Sequence, residues 1–336
     1  MTLLLRWGIL GPGRIAPRLV RGVAANSRGV VAAVASRDAG RAAEFADEHG
    51  IPASFGSYEE LLASPDVDVV YISLPNHLHA PWAIRALEAG KHVLCEKPLA
   101  LTPEDVDGIA AAAAKAGRIA VEGFMFLHHP QIIRAVELAR SGALGRLELV
   151  NGTFSFFLTH PGDPRIDPAM GGGSLWDVGC YPVTLARRIA GEDPDGIGAM
   201  ARFDERGVDR TFIGQLHFPG GLLAQFDSGF AAPDRERIEI VGSDATLALT
   251  APFLPEPDGP APSLVMWRGR EASPIDVASV DQVAAEVEDL TAAILDGKAP
   301  HVDLAFSRGT IATLVALDTA ARAFASTRAT VAPPER

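Results

Sequence analysis

Between an apolar run at residues 3–10 and a helical pattern beyond it, the chain carries Gly11-Pro12-Gly13-Arg14-Ile15-Ala16. A glycine turn that closes a first buried strand and opens a first helix begins a βαβ unit, which commits the following segments to a parallel sheet. Apolar runs at 30–35, 67–74, 92–95 and 118–121 read as the next strands, because strands covered on both faces are apolar almost throughout. The segments between them are punctuated as helices. Ser57 with Glu60 and Thr102 with Asp105 have capping-box-like spacing, and Gly90 and Gly117 stand where a helix stops. Strand and helix in strict turn imply right-handed crossovers and a doubly wound Rossmann-type sheet over residues 1–121.

After residue 121 the texture changes. A helical segment at 130–140, stopped by Gly142, leads to strand-like runs at 147–158, 198–203, 211–218, 222–230, 237–241 and 245–250. Consecutive strands without intervening helices favour antiparallel or mixed pairing. Residues 122–336 are therefore expected to form a second, α+β domain with a large, mostly antiparallel open sheet. Helices are expected at 281–295 and 304–325, the last able to pack back on the first domain, with the proline-rich stretch 252–262 as a surface loop.

Composition removes several function classes. At 336 residues, 48% hydrophobic and 21% charged, the chain has the make-up of a compact two-domain globule. A formal net charge of -12, with no Lys/Arg block longer than Arg187-Arg188, argues against a nucleic-acid or anionic-membrane surface. Cys95 and Cys180 cannot make a disulfide framework and point to a reducing compartment. The Leu3-Leu4-Leu5 run is broken by Arg6 and lacks a cleavage site, and no apolar stretch is long enough to span a bilayer. A cytoplasmic protein is expected.

The turn itself has the pattern G-x-G-x-x-A at Gly11, Gly13 and Ala16, with Gly8 in the strand before it. Glycines there let backbone N–H groups approach a pyrophosphate at a helix N-terminus, so Gly8, Gly11, Gly13, Arg14 and Ile15 are candidate dinucleotide contacts. Pro17 falls in or just past the first helical turn, where a missing N–H costs least. The second strand ends Ser36-Arg37-Asp38. An NAD site places Asp or Glu at such a strand end for the ribose 2′-hydroxyl, whereas an arginine suits a 2′-phosphate. Ser36 occupies the acidic position, Arg37 follows and Arg41 lies one helical turn on, so NADP is favoured. NAD is the alternative if Asp38 takes the ribose, but Asp38 fits better as the N-cap of the next helix.

Two further stretches carry chemistry. Glu96-Lys97-Pro98 ends the 92–95 run, and ligands of open parallel sheets bind at the carboxyl ends of strands, so Lys97 would face whatever the first domain holds. Asp177-Val178-Gly179-Cys180-Tyr181 follows Gly171-Gly172-Gly173, and helical apolar spacing over 175–189 places Asp177 and Tyr181 at i and i+4 on one face. A cation, a carboxylate and a phenol make a proton-transfer set. Each alone is equally well a surface lysine, a helix cap or a half-buried aromatic. His77 with His79, and His128 with His129, have no carboxylate or cysteine at ligand spacing, so no metal is expected. Cys180 has no evident base partner and reads as core packing.

Together these stretches resemble the glucose-fructose oxidoreductase, inositol dehydrogenase and MocA (Gfo/Idh/MocA) family over nearly the whole chain. The resemblance rests on the glycine turn, Leu74-Pro75-Asn76 with His79, the run from Gly90 through Glu96-Lys97-Pro98 to Leu99, and Asp177 to Tyr181. It implies that Lys97 is catalytic and that Asp177 and residue 181 fill a D-x-x-x-H motif whose last member exchanges the proton. Tyr181 replaces the histidine, which resembles the tyrosine-using branch with dimeric dihydrodiol dehydrogenase and NADP-dependent xylose dehydrogenases. Glu122-Gly123-Phe124-Met125-Phe126 and His129-Pro130-Gln131 are similar to that branch too. The resemblance further places Leu74, Pro75, Asn76, His79 and Glu96 near the cofactor, and a homodimer or homotetramer interface on the open sheet face.

A tyrosine has an unperturbed pKa of about 10, and poising it near 7 needs roughly 4 kcal/mol of phenolate stabilisation. A cation about 4 Å away at an effective dielectric of about 20 supplies that much, and Lys97 is the evident candidate. Arg165, in Pro164-Arg165-Ile166-Asp167, can reach substrate hydroxyls; a solvated arginine fits the sequence equally. The expectation is an NADP-dependent oxidoreductase interconverting hydroxyl and carbonyl on a sugar, polyol or dihydrodiol, with Tyr181 as acid and base. The first rival is a lyase or glycosidase that retains its nicotinamide cofactor. A non-catalytic NADP-binding regulator is the second, and it would lack one of Lys97, Asp177 and Tyr181, all of which are present.

Overall fold

The computed structural model describes residues 4–254 and 263–329, so most of the 252–262 loop lies outside the described residues. Contacts divide the chain into two units, Met1–His129 with Val280–Arg308, and Pro130–Ser279 with Gly309–Arg336.

In the first unit, strands β1 (Leu5–Leu10), β2 (Gly29–Ala35), β3 (Ala53–Phe55), β4 (Val69–Ile72), β5 (His92–Glu96) and β6 (Ala120–Gly123) form one sheet. Helices α1 (Ala16–Ala25), α2 (Ala39–His49), α3 (Tyr58–Ala63), α4 (His79–Glu88) and α5 (Pro103–Ala116) alternate with them. The order is β3-β2-β1-β4-β5-β6, every pair parallel. This is the Rossmann order, with its switch point between β1 and β4. Ile9, Val34, Val70, Ile72 and Leu94 are wholly buried, as strands covered on both faces must be. The predicted caps form: Ser57 Oγ accepts from Glu60 N and Thr102 Oγ1 from Asp105 N, each at 3.2 Å. The sequence reading passes over β3, whose three residues are too few for a periodic pattern.

The second unit opens with α6 (Pro130–Arg140), then β7 (Leu147–Phe157), α7 (Cys180–Ala190) and strands β8 (Gly196–Phe203), β9 (Asp209–His217), β10 (Leu223–Gly229), β11 (Ala231–Gly242), β12 (Thr246–Thr250), β13 (Ser263–Arg268) and β14 (Glu271–Ile275). Among the described residues they make an eight-stranded sheet, β14-β13-β12-β11-β7-β10-β9-β8. All pairs are antiparallel except β7 with β10. The sequence reading misses β13 and β14; β14 carries Pro274, which an edge strand tolerates. Alternation is clean in β9, with Phe212, Gly214 and Leu216 buried and Ile213, Gln215 and His217 exposed.

Two more helices follow, α8 (Gln282–Asp296) and α9 (Leu304–Ala329). α8 packs on α1 in the first unit, where Asn26 Nδ2 donates to Glu288 Oε2 at 2.9 Å and Arg28 pairs with Glu288 and Asp296. In the second unit α7 and the part of α9 from Ile311 to Leu317 lie against one sheet face, with Ile311, Leu314 and Leu317 fully buried. The other face stays open and carries Met200, Ile213 and Leu223, each between 45% and 48% exposed.

Candidate active site

β1 delivers Gly11 to the carboxyl edge of the parallel sheet with φ +90°, and a Cβ there would lie 2.8 Å from Leu74 Cδ2 and 3.1 Å from Ser73 O. Only glycine satisfies both the backbone angle and the space. Ser73 Oγ donates to Gly11 O at 2.6 Å, Gly11 N donates to Ala35 O at 3.0 Å and Gly13 N to Gly11 O at 2.8 Å, which fix the turn on its neighbours. α1 then begins with Ile15 at the cap, no side-chain cap, no acidic residue in its first turn, and Pro17 among its first residues. Its leading N–H groups therefore suit an anion, as a pyrophosphate requires. The Arg14 side chain is exposed beside them. Gly8 has a different place: a Cβ there would lie 2.8 Å from Leu61 Cδ2 and 2.9 Å from Val67 Cγ1, so its smallness serves packing inside the sheet.

At the end of β2, Ser36 is buried and its Oγ accepts from Asp38 N at 3.2 Å. Asp38 Oδ1 accepts from Gly40 N at 2.9 Å and Arg41 N at 3.2 Å, so this carboxylate is the N-cap of α2. Arg37 and Arg41 are exposed beside the strand end, and both act on Tyr58, whose phenol burial raises and these cations partly restore. Two guanidinium groups with the neighbouring carboxylate turned to capping fit a 2′-phosphate.

β5 ends at Glu96, and the half-buried Lys97 is joined to Pro98 by a cis peptide bond. Tyr71 Oη donates to Glu96 Oε1 at 2.5 Å. Burial holds the Glu96 carboxyl above the usual carboxylate range, with the Tyr71 bond and Lys97 opposing it. Glu286 of α8, buried near Glu96 and Glu122, is pushed well above that range by burial first and by those carboxylates second. The buried His79 ring reaches Pro98 O with Nδ1 and Leu74 O with Nε2, both at 2.7 Å, and burial lowers its pKa. It therefore ties the half-buried Leu74-Pro75-Asn76 turn to the Lys97-Pro98 loop through backbone carbonyls, with neither ring nitrogen left over for a cofactor.

In the second unit, Gly173 N donates to Arg165 O at 2.9 Å and Asp177 N to Gly173 O at 3.0 Å, which ties the Arg165 loop to the start of the helical segment. That segment is not one regular α-helix. Leu175–Gly179 is a π-helical turn, and α7 starts at Cys180. Pro182 supplies no N–H and its ring would press on the carbonyl of Val178, a conflict that a wider turn just upstream relieves. Asp177 and Tyr181 thus straddle a π-to-α junction and do not share a plain i, i+4 face.

The Tyr181 ring is 5% exposed, edge-on to Phe154 at 5.2 Å and tilted against Phe253 at 5.3 Å. Arg165 Nη1 lies 3.6 Å from Asp177 Oδ2, while its Nε and Nη2 donate to Asp163 at 2.9 and 2.8 Å. Its guanidinium covers Phe156 at 5.3 Å, and its pKa is raised, chiefly by Asp163. Arg165 is thus held against Asp177 and is not a solvated side chain. Sequence reading missed Asp163 and Tyr71; Asp163 stands two residues before Arg165, and Tyr71 is the one phenol in an apolar strand.

A Rossmann sheet with an uncapped phosphate turn, followed by a sheet domain that carries a buried phenol and an Arg–Asp pair, fits a dinucleotide-dependent oxidoreductase. Residues 5–124 match the oxidoreductase family with NAD-binding Rossmann fold (GFO_IDH_MocA), and residues 132–248 match the GFO/IDH/MocA C-terminal domain. The chain is 38% identical over 302 residues to D-xylose 1-dehydrogenase (NADP(+)) 2 of Haloferax volcanii, which covers 89% of this chain and 92% of that one. Among solved structures, the 3-ketoreductase KijD10 of Actinomadura kijaniata in complex with NADP and TDP-benzene superposes with a TM-score of 0.89 at 32% identity, covering 94% of this chain and 98% of that one. Aldose-aldose oxidoreductase from Caulobacter crescentus, complexed with glycerol, gives a TM-score of 0.88 at 30% identity, covering 96% and 98%. The chain belongs to the GFO/IDH/MocA oxidoreductase family.

Proposed function

We propose that the protein is an NADP-dependent enzyme that interconverts a hydroxyl and a carbonyl on a sugar-like substrate, with Tyr181 exchanging the proton and Lys97 supplying the cation that supports its phenolate. The observation that carries this reading is the Arg165–Asp177 pair one turn from the buried Tyr181, a cation and a carboxylate suited to neighbouring hydroxyls on the substrate. Relatives that use NADP or act on aldoses and keto sugars support it. Polyols and dihydrodiols belong to the same chemical class.

Gly11, Gly13, Arg14 and Ile15 would hold the pyrophosphate, and Ser36, Arg37 and Arg41 the 2′-phosphate. Leu74, Pro75, Asn76, Glu96 and Lys97 lie at the carboxyl edge where the ring end is expected, with His79 fixing them from behind. The dinucleotide these residues would hold would supply the hydride acceptor in oxidation and the hydride donor in reduction. Tyr181 accepts the hydroxyl proton in oxidation and returns it in reduction. Lys97 stabilises the phenolate and the substrate oxygen, and Asp177, steadied by Arg165, orients a neighbouring hydroxyl.

The test is turnover of aldoses, inositols and dihydrodiols with NADP, followed by NADPH absorbance, for the wild type, Tyr181→Phe and Lys97→Met. Both variants should lose at least a hundredfold in kcat, as removal of a general acid–base does. NADP affinity in Tyr181→Phe should stay within about twofold. A Tyr181→Phe enzyme of undiminished kcat overturns the assignment.

The same proposal includes a homodimer or homotetramer joined through the open sheet face, where Met200, Ile213 and Leu223 are exposed. Light scattering on Ile213→Glu with Leu223→Lys should show a smaller species. A cytoplasmic location is proposed on the two buried thiols. No described helix is long and apolar enough to cross a membrane.

A further inference from the structure

We infer that Asp209, on β9, is the positioning residue that anchors the Asp177–Tyr181 turn, acting through Ser174 and the backbone of Leu175. Asp209 Oδ2 accepts two hydrogen bonds, from Ser174 Oγ at 2.6 Å and from Leu175 N at 2.8 Å. Ser174 Oγ also lies 3.2 Å from Ser228 Oγ on β10, so the anchor joins two strands. All three side chains are buried: Asp209 is 2% exposed, Ser174 0% and Ser228 1%. These contacts meet the segment at the N–H that opens the π-helical turn carrying Asp177, immediately before the α7 turn carrying Tyr181. A carboxylate at that end also opposes the positive end of the helix.

Two backbone features exist for this contact. β9 pairs with β8 in regular register until Arg202 opposite Thr211, after which Phe203 faces Asp209 and Arg210 is the extra residue of a bulge. Strict alternation from Phe212 would aim Asp209 at the open sheet face, and the bulge turns it inward instead. Gly173, with φ +139°, abuts the other carboxylate oxygen, Asp209 Oδ1, and leaves no room for a side chain. A buried carboxylate is costly without such partners. Burial pushes its pKa up to about 6.

The anchoring is a property of the second unit, while its catalytic meaning rests on the proposed roles of Asp177 and Tyr181. The chain has three tyrosines, Tyr58, Tyr71 and Tyr181, so the full-length protein labelled with fluorotyrosine gives three fluorine resonances, the third assigned by Tyr181→Phe. In Asp209→Ala the Tyr181 resonance should shift or broaden while Tyr58 and Tyr71 keep theirs, and Asp209→Asn, which retains the acceptor oxygen, should bring it back. Should Asp209→Ala fail to fold, Ser174→Ala must move the Tyr181 resonance alone. An unmoved Tyr181 resonance overturns the inference, even if the melting temperature falls.

With NADP and D-xylose as probe, kcat should drop at least tenfold in Asp209→Ala, with KM for sugar and NADP changed less than threefold, and recover in Asp209→Asn. A shifted resonance alongside undiminished turnover in Tyr181→Phe would retain the anchor and sink the catalytic reading instead.

Discussion

His79 Nδ1 lies 2.7 Å from the carbonyl oxygen of Pro98, which fixes the residue next to Lys97 to the helix that follows β4. The other ring nitrogen lies at the same distance from Leu74 O, so one imidazole is wedged between both segments flanking the carboxyl edge of the sheet and donates its single N–H to one of them. Burial favours the neutral ring, which carries one N–H, so His79→Ala leaves one backbone carbonyl without its donor, a cost of about 1–3 kcal/mol when unsatisfied, and removes the side chain packed between the two segments. The variant should melt lower and bind NADP about tenfold more weakly in a fluorescence titration. Unchanged affinity and melting would mean that the loops hold their places unaided.

Arg37 should set cofactor preference. Its guanidinium stands at the end of β2 while Asp38 is engaged in capping α2. A charge-assisted hydrogen bond is worth about 1.5–3 kcal/mol, so Arg37→Ala should raise the KM for NADP roughly 10- to 100-fold. The KM for NAD should change less than threefold. Equal loss with both cofactors would place Arg37 away from the 2′-phosphate.

The Rossmann half was legible because its signals are local: a glycine turn after an apolar run, apolar strands, and caps at Ser57, Thr102 and Asp38 that each form within three residues. Gly8 and Gly11 show where that reading stops. Gly8 lies in β1 and Gly11 in the turn after it, and Gly11 faces Leu74 at the sheet edge whereas Gly8 faces Leu61 and Val67 in the interior, a difference made by packing partners some fifty or sixty positions away. In the second half Asp177 and Tyr181 were visible as a motif, but the π turn beneath them and the Asp209 anchor were not. A bulge at Arg210 reverses the face of Asp209, and strand alternation read from sequence carries no trace of it.

Arg165 should act on substrate binding more than on the chemical step. Its fork engages Asp163 on one side and Asp177 on the other, a geometry that lysine cannot reproduce with one ammonium group. Arg165→Lys keeps the charge beside the buried Asp163, so the fold should survive. The KM for sugar should rise about tenfold with kcat lowered less than threefold, in steady-state kinetics at saturating NADP. A kcat loss at unchanged KM would assign Arg165 to the transition state instead.

Acid stability should contain two opposing contributions, one from each unit. His92, whose Nδ1 accepts from Ile119 N at 3.1 Å, has its pKa lowered from 6.5 to about 4, by burial first and by Arg118 second. Between those values the unfolded chain binds a proton that the folded one refuses, so stability falls as pH drops from 6.5 towards 4. Asp209 has the reverse sign. Its pKa is raised from 3.8 to about 6, so the folded state holds a proton that the unfolded chain has released, and stability falls as pH rises through that range. Melting curves followed from pH 4 to 6 should therefore change slope in opposite directions in two variants. His92→Asn, which keeps an acceptor for Ile119 N, should lose less stability on acidification than the wild type. Asp209→Asn should gain relative to the wild type as pH increases. Parallel slopes in wild type and His92→Asn would mean that His92 protonates in the folded protein near its ordinary pKa.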